Sequence, residues 1–249
     1  MSIFNNSELK MMRMIAIVKE IEDIAFPKEH LKELNRLTPI LLESMDRDGL
    51  PIESGEINIG TLDNELNTAL FIFRWVVKNN TIIENLNMVI NDLRVLPLNY
   101  ILLRGSPRAR FYLLVQTYFN EFYRFREIHS QFVKEVSTRG FIKNEDVALI
   151  RKSFHDAFKE TIELRNVFVH GSPSWKGKTH FDLNFIVGSW EKGFAIKDKG
   201  TGEFHSVSDS IDNVCSPMAD TLRDEGRRMS AFINGLVPMY VEMITKVVD

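Results

Sequence analysis

The chain has 249 residues, 44% of them apolar and 18 of them phenylalanine, enough to bury one large core or two small ones. A formal net charge of -3 and an isoelectric point near 6.1 exclude the global basic field common among nucleic-acid binders, so a phosphate-rich partner must be met by a local patch. The one cysteine, Cys215, excludes an internal disulfide framework, suits a reducing cytosol, and reads as a small buried hydrophobe, since no histidine lies near it in sequence.

Residues 1–14 are polar and mixed in charge, unlike a signal peptide, and the most apolar stretch, 69–77, is interrupted by Arg74 and falls short of a membrane span. The expectation is a soluble, cytoplasmic protein without a membrane partner. Met11, Met12, Ile15, Val18, Ile21 and Ile24 recur at helical spacing and predict a first helix that Phe26-Pro27 ends. Pro27 suits the first turn of a second helix running to about Ser44. The Gly-, Asp- and Ser-rich stretch from Asp46 to Gly60 predicts the internal boundary, with an N-terminal helical region over 1–60 and a bundle over 61–249, although the two also read as one continuous domain. Helices are predicted from Thr61 to Lys78 and from Ile82 to Leu96.

Ser106-Pro107 combines a capping residue with one suited to the first helical position. From there to Val136, Phe111, Leu114, Val115, Tyr118, Phe119, Phe122, Phe125 and Phe132 mark one buried face, in a helix of roughly 45 Å at about 1.5 Å per residue. Arg124 and His129 in this helix read as a solvated face. Thr138-Arg139-Gly140 breaks the pattern, and a second long helix is predicted from Asn144 to His170, with Val147, Ile150, Phe154, Phe158, Ile162 and Val169 inward. The two long helices make an α-hairpin.

The period then changes. Residues 180–187 alternate, 193–196 are β-like and 203–207 alternate again, with Gly188, Gly193, Gly200 and Gly202 as turns. These predict a small antiparallel β-meander over about 179–207. A last helix is predicted from Ser208 to Val247, bent near Pro217 or Pro238. Along it Arg223, Arg227 and Arg228 read as a solvated stripe opposed by Asp220, Asp224 and Glu225. The fold class is mainly α: a helical bundle with a long α-hairpin and a small antiparallel β-meander before the C-terminal helix.

The chemistry concentrates in Arg165-Asn166-Val167-Phe168-Val169-His170-Gly171. A fixed cation, a hydrogen-bonding amide and an imidazole at one helix end suit work on a phosphodiester without a metal. On a helix Asn166 and His170 share a face, with Glu163 one turn earlier, whereas Arg165 and His170 diverge by about 140° at roughly 100° per residue, so the arginine has to reach round. Gly171 is the expected helix stop, and the negative helix end favours the imidazolium and makes a nearby arginine necessary if a phosphate binds. The bare Arg-x4-His spacing is weak by itself, since Arg124 and His129 repeat it. Two blander readings stay open, in which Arg165 pairs with Glu163 or Asp182 in the core and His170 caps its helix.

Leu164 to Gly171 resembles the signature of HEPN domains (higher eukaryotes and prokaryotes nucleotide-binding), an arginine, a polar residue, three more positions and a histidine at the end of a bundle helix. The resemblance covers the motif and the helical region from about Pro107 to Gly171. It implies an all-α bundle, a homodimer that brings two motifs into one cleft, and a metal-independent endoribonuclease of toxin–antitoxin or phage-defence systems, with an antitoxin or regulatory protein as a candidate partner. It implies Arg165 and His170 as catalytic, Asn166 as their polar orienter, RNA as substrate and no cofactor. The implied reaction is attack of the ribose 2′-OH on the adjacent phosphate, leaving a 2′,3′-cyclic phosphate and a 5′-OH. Some members lack nuclease activity, so a non-catalytic nucleotide-binding or protein-interaction module is the alternative.

For an RNA-binding surface, five arginines and one glutamate fall between Arg104 and Arg126, and Arg104, Arg108 and Arg110 flank a helix start that favours phosphates. The same arginines also fit a helix start that pairs with acids. Trp175, Lys176 and Lys178 follow the motif and suit a stacked base and phosphates, and Trp175 serves equally as core. No dinucleotide or phosphate-loop glycine motif, zinc-protease motif or Cys/His metal spacing occurs, and His155, Asp156 and Glu160 are poorly spaced for a metal on one helix.

Overall fold

The computed structural model describes residues 18–32, 34–36, 64–100, 102, 105–170, 192, 196–197 and 200–248. Over these residues the chain is mainly helical. A single 3-10 turn, Lys28–His30, is followed by α1 (Asn64–Asn99), α2 (Pro107–Thr138), α3 (Asn144–Ala157), α4 (Lys159–His170) and α5 (Val207–Val248). Between α4 and α5, β1 (Ile196–Lys197) pairs antiparallel with β2 (Phe204–His205), Ile196 opposite His205. Two residues per strand bury no sheet face, so the expected meander is not supported; its alternating stretch 180–187 lies outside the described residues. No helix among the described residues is long and apolar enough to cross a membrane.

The chain divides into two compact units, each built from three separated stretches. The first takes Met1–Glu22, Glu84–Glu121 and Glu163–Arg227, and the second Asp23–Ile83, Phe122–Ile162 and Arg228–Asp249. Helices α1, α2, α4 and α5 each give a segment to both. The boundary expected over 46–60 lies outside the described residues, as do residues 11–17.

Residues 18–27 are not the helix that their apolar spacing predicts. Several of their backbone groups are taken by side-chain amides of α1 and α5. In the first unit Asn87 Oδ1 accepts the N–H groups of Glu20 and Ile21, both at 2.9 Å, while its Nδ2 donates to the Ile21 carbonyl at 3.0 Å. Asn91 does the same to Val18, at 3.1 and 2.9 Å. In the second unit Asn80 holds Ile24 by its N–H and carbonyl, at 2.7 and 3.0 Å, and Asn234 accepts from Ala25 N–H at 3.0 Å. A carboxamide carries the same donor and acceptor as a peptide, so each asparagine stands where a neighbouring strand would.

Side-chain burial completes the first unit. Ile21 is fully buried, and a Cβ at Gly226 of α5 would sit 2.9 Å from Ile21 Cγ1, so glycine is required there by close approach. Tyr118 of α2 is buried and donates its hydroxyl to the Leu222 carbonyl at 2.7 Å. Arg94 of α1 grips Glu20 through two bonds, at 2.6 and 2.8 Å, and Asp220 through a third at 2.9 Å. These bonds raise the Arg94 pKa and hold the Asp220 carboxyl below its ordinary range.

The second unit is packed with rings. Trp75 stacks on Phe132 at 4.1 Å, and Tyr240 meets both edge-on at 5.5 and 4.9 Å. Phe125 meets Phe154, and Phe122 meets Phe158, both at 5.7 Å. Residue numbers fall along α3 as they rise along α2, so the expected α-hairpin is antiparallel. Its turn is made by Gly140 at φ 82°, with Gly140 N–H bonded to the Ser137 carbonyl and Phe141 N–H to that of Val136, a Schellman closure of α2.

Two helix boundaries depart from expectation for local reasons, and the last helix keeps its expected bounds to within one residue. The break expected near residues 79–81 is absent because Asn79 Nδ2 donates to the Trp75 carbonyl, Thr81 Oγ1 donates to that of Val77, and Asn80 turns to Ile24. The predicted long helix from Asn144 to His170 is divided at Phe158 (φ −119°, ψ 20°), where Arg228 Nη2 takes the Ala157 carbonyl at 2.6 Å. That carbonyl belongs, in an unbroken helix, to the Thr161 N–H. The last helix begins at Val207 on a capping box, Ser206 Oγ accepting from Asp209 N–H and Asp209 Oδ2 from Ser206 N–H, and stays helical through Pro217 and Pro238. Ser106 caps α2 as expected, accepting from Ala109 N–H at 3.2 Å.

Replacing Asn87 by alanine strips the partners from three backbone groups beside a buried isoleucine. We expect a loss of about 1–3 kcal/mol in urea denaturation and faster amide exchange at Ile21. Unchanged exchange at Ile21 in this variant would show that the strap is held by something other than the amide.

Candidate functional site

Helix α4 carries the motif. Arg165 is half-buried and Asn166 exposed, and Arg165 Nη1 donates to Asn166 Oδ1 at 3.1 Å. Positions 166 and 170 lie about 40° apart around a helix, so Asn166 stands on the face that position 170 also takes. His170 is the last residue of α4, as expected. Its side chain, and Gly171 with the segment after it, lie outside the described residues. Arg165 and Asn166 are thus brought together, and the helix position of His170 stands one turn beyond Asn166.

The candidate RNA-binding residues fall in different surroundings. Arg104, Trp175, Lys176 and Lys178 lie outside the described residues. Arg108 is exposed, its guanidinium 5.7 Å from the Tyr112 ring centre. Arg110 is half-buried near Asp92, whose pKa burial raises and the Arg110 charge lowers in part. Arg110 therefore serves an acid of its own unit, and Arg108 remains at the surface near the start of α2. Comparison with protein-family models, with curated proteins and with solved structures returns no match. The reading of the site rests on its residues.

Other expectations need correction. His129, read as part of a solvated face with Arg124, is 2% exposed, stacked on Phe154 at 5.1 Å and edge-on to Phe232 at 5.9 Å. Neither ring nitrogen has a hydrogen-bond partner among the described residues. Arg124 does stay exposed, because the helix turns the two residues to different sides. The stripe on α5 is only partly solvated: Arg223 pairs with Asp220 and Asp224 at 2.8 and 2.9 Å, whereas Arg227 donates to the Glu20 carbonyl and Arg228 to that of Ala157. Cys215 is buried, and burial pushes its thiol pKa up to about 12, which leaves it protonated and inert at neutral pH. His155 stands 3.7 Å from Asp156, both exposed, and no group of three His, Cys, Asp or Glu among the described residues is arranged to hold a metal ion.

One concavity escaped the sequence reading. Lys78 and Thr81 of α1 and Tyr123, Arg124, Glu127 and Ile128 of α2 line an open cavity of about 390 Å³ in the second unit. The residues on the two helices are some forty positions apart, and no local spacing signals their meeting.

His129 makes the second unit acid-sensitive. Burial first, and the charge of Arg151 second, lower its pKa from 6.5 to about 4. The unfolded chain then binds a proton that the folded chain refuses, so stability is full above pH 6.5 and declines as pH falls from 6.5 to 4. The linked loss is about 3 kcal/mol. In urea titrations between pH 7 and 4.5, which cover most of that window, His129→Leu should lose about 2 kcal/mol less than wild type, and identical pH profiles would overturn the assignment.

Proposed function

We propose that this chain is a metal-independent endoribonuclease of HEPN type, acting on RNA as a homodimer in a toxin or phage-defence setting. The observation that carries the reading is the Arg165–Asn166 hydrogen bond on the last turns of α4, in a helix that ends at His170. In this reading Asn166 orients the cation, and its own position shares a helix face with position 170.

In this scheme His170 takes the proton of a ribose 2′-OH. The freed oxygen attacks the adjacent phosphorus, the bond to the 5′-oxygen breaks, and that oxygen takes the proton back from the imidazolium and leaves as a 5′-OH, with a 2′,3′-cyclic phosphate behind. Arg165 offers its planar fork to the non-bridging oxygens and stabilises the charge that builds on them. The negative end of α4 favours the imidazolium and repels phosphate, so the arginine also offsets an adverse helix field. A two-fold dimer sets two such helix ends side by side and supplies a second histidine or arginine to each phosphate.

The test is cleavage of a labelled tRNA and mRNA pool in EDTA by wild type, Arg165→Ala and His170→Ala. Wild type should cut and leave cyclic phosphate ends, each variant should fall by at least about 100-fold, and DNA should stay intact. Equal cleavage by all three proteins, or cutting of DNA, overturns the chemistry. Failure of wild type to cut any RNA leaves the non-catalytic module as the reading.

A further inference from the structure

The cavity between α1 and α2 in the second unit carries a chemistry separate from that of α4. We infer that it is a binding site for a nucleoside phosphate, free or within a single-stranded RNA. Two cations, Lys78 and Arg124, meet one carboxylate, Glu127, so the lining is positive in a chain whose net charge is negative. Tyr123 is 40% exposed, and the Arg126 guanidinium lies 5.8 Å from its ring centre. Ile128 supplies an apolar wall, and Thr81 spends its hydroxyl proton on the Val77 carbonyl, leaving its oxygen to accept.

Each group has a counterpart in a nucleotide. Lysine and arginine meet phosphate oxygens, the arginine through its planar fork. The exposed ring, with a cation against it, offers a stacking platform to a base. Glu127 accepts from ribose hydroxyls or a base amino group, as carboxylates do in nucleotide pockets. About 390 Å³ lies at the small end of ligand clefts and fits one nucleotide. A bare anion leaves the ring and the apolar wall unused, and an acidic peptide is repelled by Glu127. The site stands on these six residues alone, so its fate and that of the nuclease reading are independent.

The test is calorimetric titration of the full chain with AMP, with inorganic phosphate and with hexaadenylate, the last in a His170→Ala background so that cleavage cannot intervene. AMP should bind saturably. Lys78→Glu and Arg124→Glu should each weaken it by about tenfold or more, and Tyr123→Ala should weaken AMP while leaving phosphate as weak as for wild type. All three positions are exposed, and circular dichroism checks that each variant folds. Tighter binding of hexaadenylate, lost in the same variants, assigns the site to an RNA strand, and tighter binding of AMP assigns it to a free nucleotide. Absence of saturable binding of either up to millimolar concentration, or binding that none of the three variants alters, overturns the inference.

Discussion

A backbone that forms neither helix nor sheet must still satisfy its polar groups, and in this protein the carboxamides of α1 do that at Val18, Glu20, Ile21 and Ile24. Asn87 is the centre of the arrangement in the first unit, serving two N–H groups and one carbonyl from a single side chain. It fixes the backbone of Ile21, whose side chain fills the space that Gly226 leaves open. The Glu20–Arg94–Asp220 bridge depends on the same placement, because Glu20 is presented by the segment that Asn87 holds. The bidentate Arg94–Glu20 pair is part-buried, so its attraction is offset by the desolvation of both charges, whereas the burial of Ile21 beneath it carries no such cost.

A similar contest decides where α4 begins. Continuing α3 through Phe158 would gain one backbone bond, worth about 1 kcal/mol net. Burying the Phe158 ring among Phe122, Phe125, Phe154 and Phe232 is worth about 2–3 kcal/mol. The ring wins, and Arg228 removes most of the penalty by taking the Ala157 carbonyl that the break leaves open. The motif helix therefore starts at Lys159 because of an aromatic core rather than because of any residue of the motif. Each position by which that start slipped would turn Arg165 and Asn166 by about 100° around the axis.

The elements legible in the sequence were those in which one signal acted alone. The aromatic stripe of α2, the Ser106-Pro107 start, the Gly140 turn and the buried Cys215 each follow from a local rule that nothing contradicts. The segment 18–27 misled because its apolar spacing is real and serves burial of Ile21 and Ile24, yet its hydrogen-bond partners lie more than fifty residues away. His129 misled because a polar residue was counted as a surface residue, although its neighbours along α2 are phenylalanines. At α4 the motif helix and its end at His170 were legible, and the bond between the adjacent Arg165 and Asn166 was not.

The interior polar residues show how differently the same composition can be spent. Asn87 and Tyr118 are buried and bonded, Asn87 to the non-helical backbone of Ile21 and Tyr118 to the Leu222 carbonyl of α5. His129 is as deeply buried, stacks like a phenylalanine and bonds to nothing among the described residues. A phenylalanine there would give the stacking without the desolvated nitrogens, so packing does not explain the imidazole. What the imidazole adds is a dependence on acid, which the low dielectric around the rings amplifies by keeping the ring neutral well below its ordinary pKa. The second unit thus couples its aromatic core to proton concentration through one side chain, while the first unit couples its strap to α1 through amides that do not titrate.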